Sequence, residues 1–195
     1  TYGYEAAPHQ KELKCINYYD GKEITIPLDP DLNAMENAQK YFDRYGKLKR
    51  TYEALTDLIQ ETKAEIDHLE SISTSLDIAL SEDDLTQIKE ELTDYGYIKR
   101  KSSDRKAKIK SKPLHYLSSD GYHIYVGKNN YQNEELTFKF ATGNDWWFHA
   151  KGMPGSHVIV KAGNEELPDR VFEEAGKLAG YYSKGRENDK IEIDY

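Results

Sequence analysis

From Tyr41 to Leu80 the apolar positions advance in alternating steps of four and three: Tyr41, Tyr45, Leu48, Tyr52, Leu55, Ile59, Thr62, Ile66, Leu69, Ser73, Leu76 and Leu80, with no proline among them. A 3.5-residue period held this long specifies a helix with one continuous stripe, and such a stripe demands a partner because water covers it poorly. At about 1.5 Å per residue, Ala34 to Leu80 would extend roughly 70 Å. Gly46 is its weak point, costing about 1 kcal/mol relative to alanine. Ser81, followed by Glu82, Asp83 and Asp84, reads as a cap with first-turn carboxylates opening a second helix, with Leu85, Ile88, Leu92 and Tyr95 on one face and an end near Gly96. That helix is expected to fold back, antiparallel, over less than half of the first. Tyr41 to Leu55 must then pack on a neighbouring hairpin, on sequence outside this chain or on another chain, so a protein partner is expected on the coiled coil.

Ahead of the stripe, Leu13, Cys15, Ile24, Ile26 and Leu28 alternate with polar residues around Asp20-Gly21, which predicts a hairpin with a tight type I′ turn. Pro27 and Pro30 close its second strand, and Asp31 or Asn33 can cap the long helix. Beyond Pro113, Leu114–Leu117 and Tyr122–Val126 flank a second turn signal, Ser118 to Gly121. A short helix around Asn133 to Phe140, strands at Asp145–Ala150 and His157–Ala162, a helix opened by Pro168 and a strand at Ile191–Ile193 complete the pattern. The fold class is α+β: a β-hairpin, a long antiparallel helical coiled coil, then a small mixed α/β domain. The divisions are 1–28 tail and hairpin, 29–100 helical arm, 101–112 basic linker and 113–195 C-terminal domain.

Charge is unevenly spread. The net charge of −8 argues against simple phosphate binding. Residues 61–97 hold eleven acidic and two basic side chains, yet the next strip sets Lys99, Arg100, Lys101, Arg105, Lys106, Lys108, Lys110 and Lys112 against Asp104 alone. It reads as a solvated linker that attracts any nearby polyanion. From Pro113 onward nine basic face thirteen acidic residues, so phosphate contacts there depend on local placement. A mean hydropathy of −0.86 and only short apolar runs leave no membrane span, and a single cysteine, Cys15, excludes an intrachain disulfide framework; a cytoplasmic setting is expected. With no initiator Met, the chain is expected to come from something longer.

Polar side chains gather in three clusters: Gly127 to Asn133, Asn144 to Lys151 and Gly152 to Val158. Lys128 and Lys151 can meet phosphates, while Asn129 and Asn130 offer donors and acceptors for base edges or can instead cap turns. Trp146, Trp147 and Phe148 in succession must point to both faces of a strand, which makes Trp147 a candidate stacking ring. Asp145, His149 and His157 could be drawn as a metal triad, but no cysteine supports them and no metal or other cofactor is expected. Ser156 and His157 are adjacent on a strand and point apart, so they make no nucleophile and base.

The strings VGKNNYQNEELTFK (126–139) and DWWFHAKGMPGSHVIV (145–160) resemble the NFACT-R domain of the NFACT family, named for fibronectin-binding protein A and its relatives in ribosome-associated quality control. LDPDLNAMENAQKYFDRYGKLKRTYEAL (28–55) resembles that family's coiled-coil middle region. The resemblance implies binding to peptidyl-tRNA-obstructed large ribosomal subunits, recruitment of alanyl-tRNA and support of untemplated C-terminal alanine tailing. It implies no catalytic centre, with the main tRNA-reading residues in an N-terminal domain absent from this chain and a C-terminal domain that is incomplete at Tyr195. On this reading Lys128, Asn129, Asn130, Asp145, Trp147, His149, Lys151, Ser156 and His157 surround an RNA ligand, with Asp145 orienting His149 or a lysine. A fibronectin-binding adhesin or interaction scaffold is the alternative, suggested by the stripe, the 16 tyrosines and the family label.

Overall fold

The structure, a computed structural model, describes residues 6–100 and 111–195. It divides into two compact units, Thr1–Thr62 and Lys63–Tyr195, with the boundary inside the long helix.

In the first unit β1 (Glu12–Ile16) and β2 (Glu23–Pro27) pair antiparallel, Leu13 opposite Ile26 and Cys15 opposite Ile24. The connection is longer than the expected two-residue turn. Asn17 N–H donates to Lys22 O at 2.8 Å and Gly21 N–H to Asn17 O at 2.9 Å, leaving four residues, Tyr18 to Gly21, in the loop. The Asn17 side chain accepts from Tyr19 N–H and the Asp20 carboxylate from Lys22 N–H, so side-chain acceptors select the wider turn, and Gly21 supplies the positive φ of 68°.

Helix α1 (Ala34–Ile78) is a single 45-residue helix that runs through Gly46. Asn33 accepts from Glu36 N–H at 2.9 Å while the Glu36 carboxylate accepts from Asn33 N–H at 2.8 Å, a reciprocal cap. One turn on, buried Asn37 bonds both the N–H and the carbonyl of Asp29, Lys40 pairs with Asp29, and Tyr41 Oη donates to Pro27 O at 2.6 Å. Tyr41 is thereby tied to the hairpin. Tyr45, Leu48, Tyr52, Leu55 and Ile59 are all at least half exposed.

In the second unit the seam expectation fails in register. Leu69, Ser73, Leu76 and Leu80 face solvent, while Ile72, Ser75 and Ile78 are buried. The packed face lies one residue, about 100°, around the helix from the predicted one. Ser81 caps α2 (Glu82–Asp94) with a full capping box to Asp84, as expected. The apolar face predicted for α2 does not all turn inward: Ile88 is buried, but Leu85 and Tyr95 are exposed, and the other buried residues are Asp84, Gln87, Glu90 and Glu91.

Beyond these helices, β3 (Leu114–Leu117), β4 (His123–Val126), β5 (Trp146–Ala150), β6 (Val158–Lys161) and β7 (Ile193–Asp194) form an antiparallel sheet of order β3-β4-β6-β5-β7. Short α3 (Asn130–Glu135) continues into a π-helical turn, Leu136–Phe140, and α4 (Asp169–Tyr181) covers one sheet face. Alternation sends Ile124, Val126, Phe148, Val158 and Val160 to that face, where they meet Val171, Ala175 and Ala179 at steps of four along α4. The alanines let the helix approach closely, and this is the core. Phe172 sets its ring edge against Trp146 and Phe148 at 4.9 and 4.8 Å.

Candidate nucleic-acid interface

The Gly127–Asn133 turn is an internal joint. A Cβ at Gly127 would stand 2.2 Å from Asn133 Oδ1, so glycine is required for the close approach. Asn129 caps α3, accepting from Gln132 N–H at 3.0 Å. Its amide also donates to Gln87 Oε1 at 2.8 Å, which Gln132 Nε2 reaches at the same distance. Lys128 is buried and ion-paired with Asp84. Burial raises the Asp84 carboxyl pKa, but the Lys128 and Ser111 hydrogen bonds and the Leu80 N–H outweigh it and bring it to about 2. Asn130 Nδ2 donates to Ser71 Oγ at 2.8 Å and Glu91 Oε1 at 2.6 Å, and His68 Nε2 meets the same Glu91 oxygen at 3.0 Å.

Lys128 and Asn129, expected against a ligand, are therefore spent on α2. The reason is electrostatic, since a buried carboxylate and buried amides need partners and these residues supply them. Sequence reading missed Asp84 and Gln87 as their acceptors, and Glu91 as that of Asn130. The signal was present in the spacing 84, 87, 91, which is helical periodicity written in polar residues.

On the sheet face opposite α4, Trp147 lies 5.7 Å from His149 and 5.3 Å from His157, ring to ring. Thr137 Oγ1 and His157 Nδ1 are hydrogen-bonded at 2.7 Å. Burial lowers the His157 pKa to about 4, with help from neighbouring His149; burial also lowers His149, against the pull of Asp194. Both rings are held in the neutral form at pH 7. They border an open cleft of about 610 Å³ whose ionisable lining includes Asp67, Glu70 and Glu134.

Lys151 is exposed, with Glu192 and Asp194 at 3.7 and 3.8 Å. Asp145 orients a lysine, Lys161, and accepts from Thr142 N–H and Oγ1; burial raises its pKa, but these contacts outweigh it and lower it. Ser156 is buried, its Oγ without a partner among the described residues. The structure thus brings Trp147, His149 and His157 together and leaves Lys128, Asn129, Asp145 and Ser156 inside. In the basic strip, Arg100 pairs with Glu90 at 2.6 Å, whereas Lys101, Arg105, Lys106, Lys108 and Lys110 lie outside the described residues. Among the described residues no group of three or more His, Cys, Asp or Glu could hold a metal, and no helix is long and apolar enough to cross a membrane.

A second ring cluster on the same sheet face escaped sequence reading. His115 and His123 lie edge to edge, centroids 5.0 Å apart, with a 2.8 Å Nε2–Nδ1 hydrogen bond, and Tyr125 stacks on His115 at 4.7 Å. Hairpin alternation alone aligns them.

Residues 1–111 match the family model described as NFACT N-terminal and middle domains, and residues 112–195 the model described as NFACT protein RNA binding domain. The "Rqc2 homolog RqcH" of Streptococcus suis is 45% identical over 195 residues, all of this chain and 35% of that protein. Its Bacillus subtilis counterpart is 37% identical over 192 residues, 95% of this chain and 33% of that protein. The "Ribosome quality control complex subunit NEMF homolog" of Drosophila melanogaster is 26% identical over 165 residues, covering 84% of this chain and 15% of its own length. A solved structure, the C-terminal part of the fibronectin/fibrinogen-binding protein from Streptococcus suis, superposes with a TM-score of 0.74 at 45% identity, covering 82% of this chain and 64% of that one. The chain spans about a third of the length of its bacterial relatives. With one family model on its first 111 residues and a second on the remainder, the chain belongs to the NFACT family.

Proposed function

We propose that this chain is the adaptor portion of a cytoplasmic ribosome-associated quality control factor. It helps to hold the parent protein on obstructed large ribosomal subunits and tRNA while stalled peptides receive C-terminal alanine tails. The observation that carries this reading is the match of residues 112–195 to an RNA-binding domain model, beside relatives named for ribosome quality control. The site chemistry supports binding rather than catalysis: Ser156, the one serine beside a histidine, is buried and its Oγ has no hydrogen-bond partner among the described residues, so no base activates it. Lys151, with the Trp147–His149–His157 cluster, is the proposed contact surface around the cleft. The strip from Lys99 to Lys112 adds long-range attraction for polyanions.

Cosedimentation with purified large subunits tests this. Recovery should be higher on subunits carrying peptidyl-tRNA than on vacant ones and should fall steeply with salt. Equal recovery on both, or none on either, overturns it. A second reading is protein binding along the exposed stripe of α1. It is favoured by that exposure and by the structural neighbour, which is named for binding fibronectin and fibrinogen. Salt-resistant capture on immobilised fibronectin in place of subunits would support it.

A further inference from the structure

The sheet face away from α4 carries a row of rings that no contact within the described structure requires. His115 and Tyr125 are cross-strand partners on β3 and β4, and their rings stack at 4.7 Å and 14°. His123, diagonal to His115, extends the row edge to edge, nearly coplanar at 20° with centroids 5.0 Å apart and a 2.8 Å hydrogen bond between the rings. At the Tyr125 end Phe140 closes the row edge-on at 4.6 Å, with Lys161 Nζ 4.8 Å above the Phe140 ring.

Both histidines are exposed, and Leu117, directly opposite His123 on the same face, is 65% exposed. His123 meets His115 through its edge, and no other ring contacts it among the described residues. Parallel rings standing on a sheet, an apolar neighbour and a cation held at one end by Asp145 are the components that stack and anchor unpaired bases. Lys112 and Lys139 flank the row in sequence and can meet the adjoining phosphates.

We infer that His123, His115, Tyr125 and Phe140, with Lys161, form a stacking platform for unpaired bases of single-stranded RNA, separate from the Trp147–His149–His157 cluster. The inference rests on residues 112–195 being RNA-binding. A row recognising bases by stacking prefers single strands, whose ring faces are free, over duplexes, whose bases are already stacked.

The test measures the affinity of the 195-residue chain for a single-stranded RNA oligonucleotide carrying 2-aminopurine and for its duplex, beside large-subunit cosedimentation. The intact chain should quench the probe and prefer the single strand. His123→Ala and Tyr125→Ala should each weaken single-strand binding by about ten-fold with the salt slope unchanged, and Tyr125→Phe should bind like the parent. His123 is exposed, so its variant keeps the test sound if Tyr125→Ala fails to fold. If both alanine variants bind like the parent, or the duplex binds as tightly as the single strand, the platform is refuted while subunit binding still supports the adaptor reading. If the intact chain binds neither RNA form nor subunits, both readings fall. Loss of subunit binding with single-strand affinity retained would make the row a protein contact and overturn the inference.

Discussion

The stripe of α1 and the buried face of α2 invert the usual arrangement in opposite senses. Tyr45, Leu48, Tyr52 and Leu55 stand in water along α1, whereas Asp84, Gln87, Glu90 and Glu91 of α2 are inside. Burying carboxylates and amides contributes little net stability, because desolvation offsets the ion pairs and hydrogen bonds gained. What the network supplies is orientation: Lys128 fits Asp84, Asn129 and Gln132 fit Gln87, and Asn130 fits Glu91 in one register. An apolar stripe lacks that discrimination and accepts any complementary surface. The polar face therefore fixes the geometry of its unit, and the apolar stripe stays exposed.

Removing one side of the polar joint should break this contrast most strongly. Asp84→Ala strands the Lys128 ammonium in the interior and should cost about 3 to 5 kcal/mol in urea unfolding. A loss below 1 kcal/mol would mean that Lys128 escapes to water and the joint is loose. Gly127→Ala comes next. Its Cβ would collide with Asn133, whose backbone N lies only 3.0 Å away, and should cost about 1 to 3 kcal/mol by the same measurement.

Acid should act on the joint's neighbours. His157 and His149 have folded-state pKa values below the ordinary histidine value, so the unfolded chain binds more protons as pH falls. Stability should hold above about pH 6.5 and decline from there towards pH 4, by roughly 1 to 2 kcal/mol at pH 4.5, discounted because both rings keep solvent contact. A flat denaturation midpoint over that range would contradict their burial. The smallest effect belongs to the stripe. Leu55→Ser should change the stability of the chain by less than about 0.5 kcal/mol, and a larger, concentration-dependent loss would reveal a second copy covering it.

The two hairpins, the reciprocal cap at Asn33, the capping box at Ser81 and the strand alternation of Trp146, Trp147 and Phe148 were all legible in the chain, because each depends on neighbours within a few residues. The face on which α1 packs was not. The heptad pattern pointed to Leu69 and Leu76, yet Ile72 and Ser75 are the residues that are buried. Periodicity reports that a stripe exists, whereas the surface presented by distant residues decides which stripe is covered. The candidate site divided in the same way. The residue types that can meet RNA were visible in the three polar clusters. That Lys128 and Asn129 turn inward to Asp84 and Gln87, more than forty positions away, while His115, His123 and Tyr125 line up outside, was decided only when folding set those groups side by side. A polar side chain carries no label for interior or surface, and the free energy of pairing it against leaving it in water depends on partners that the local sequence does not contain.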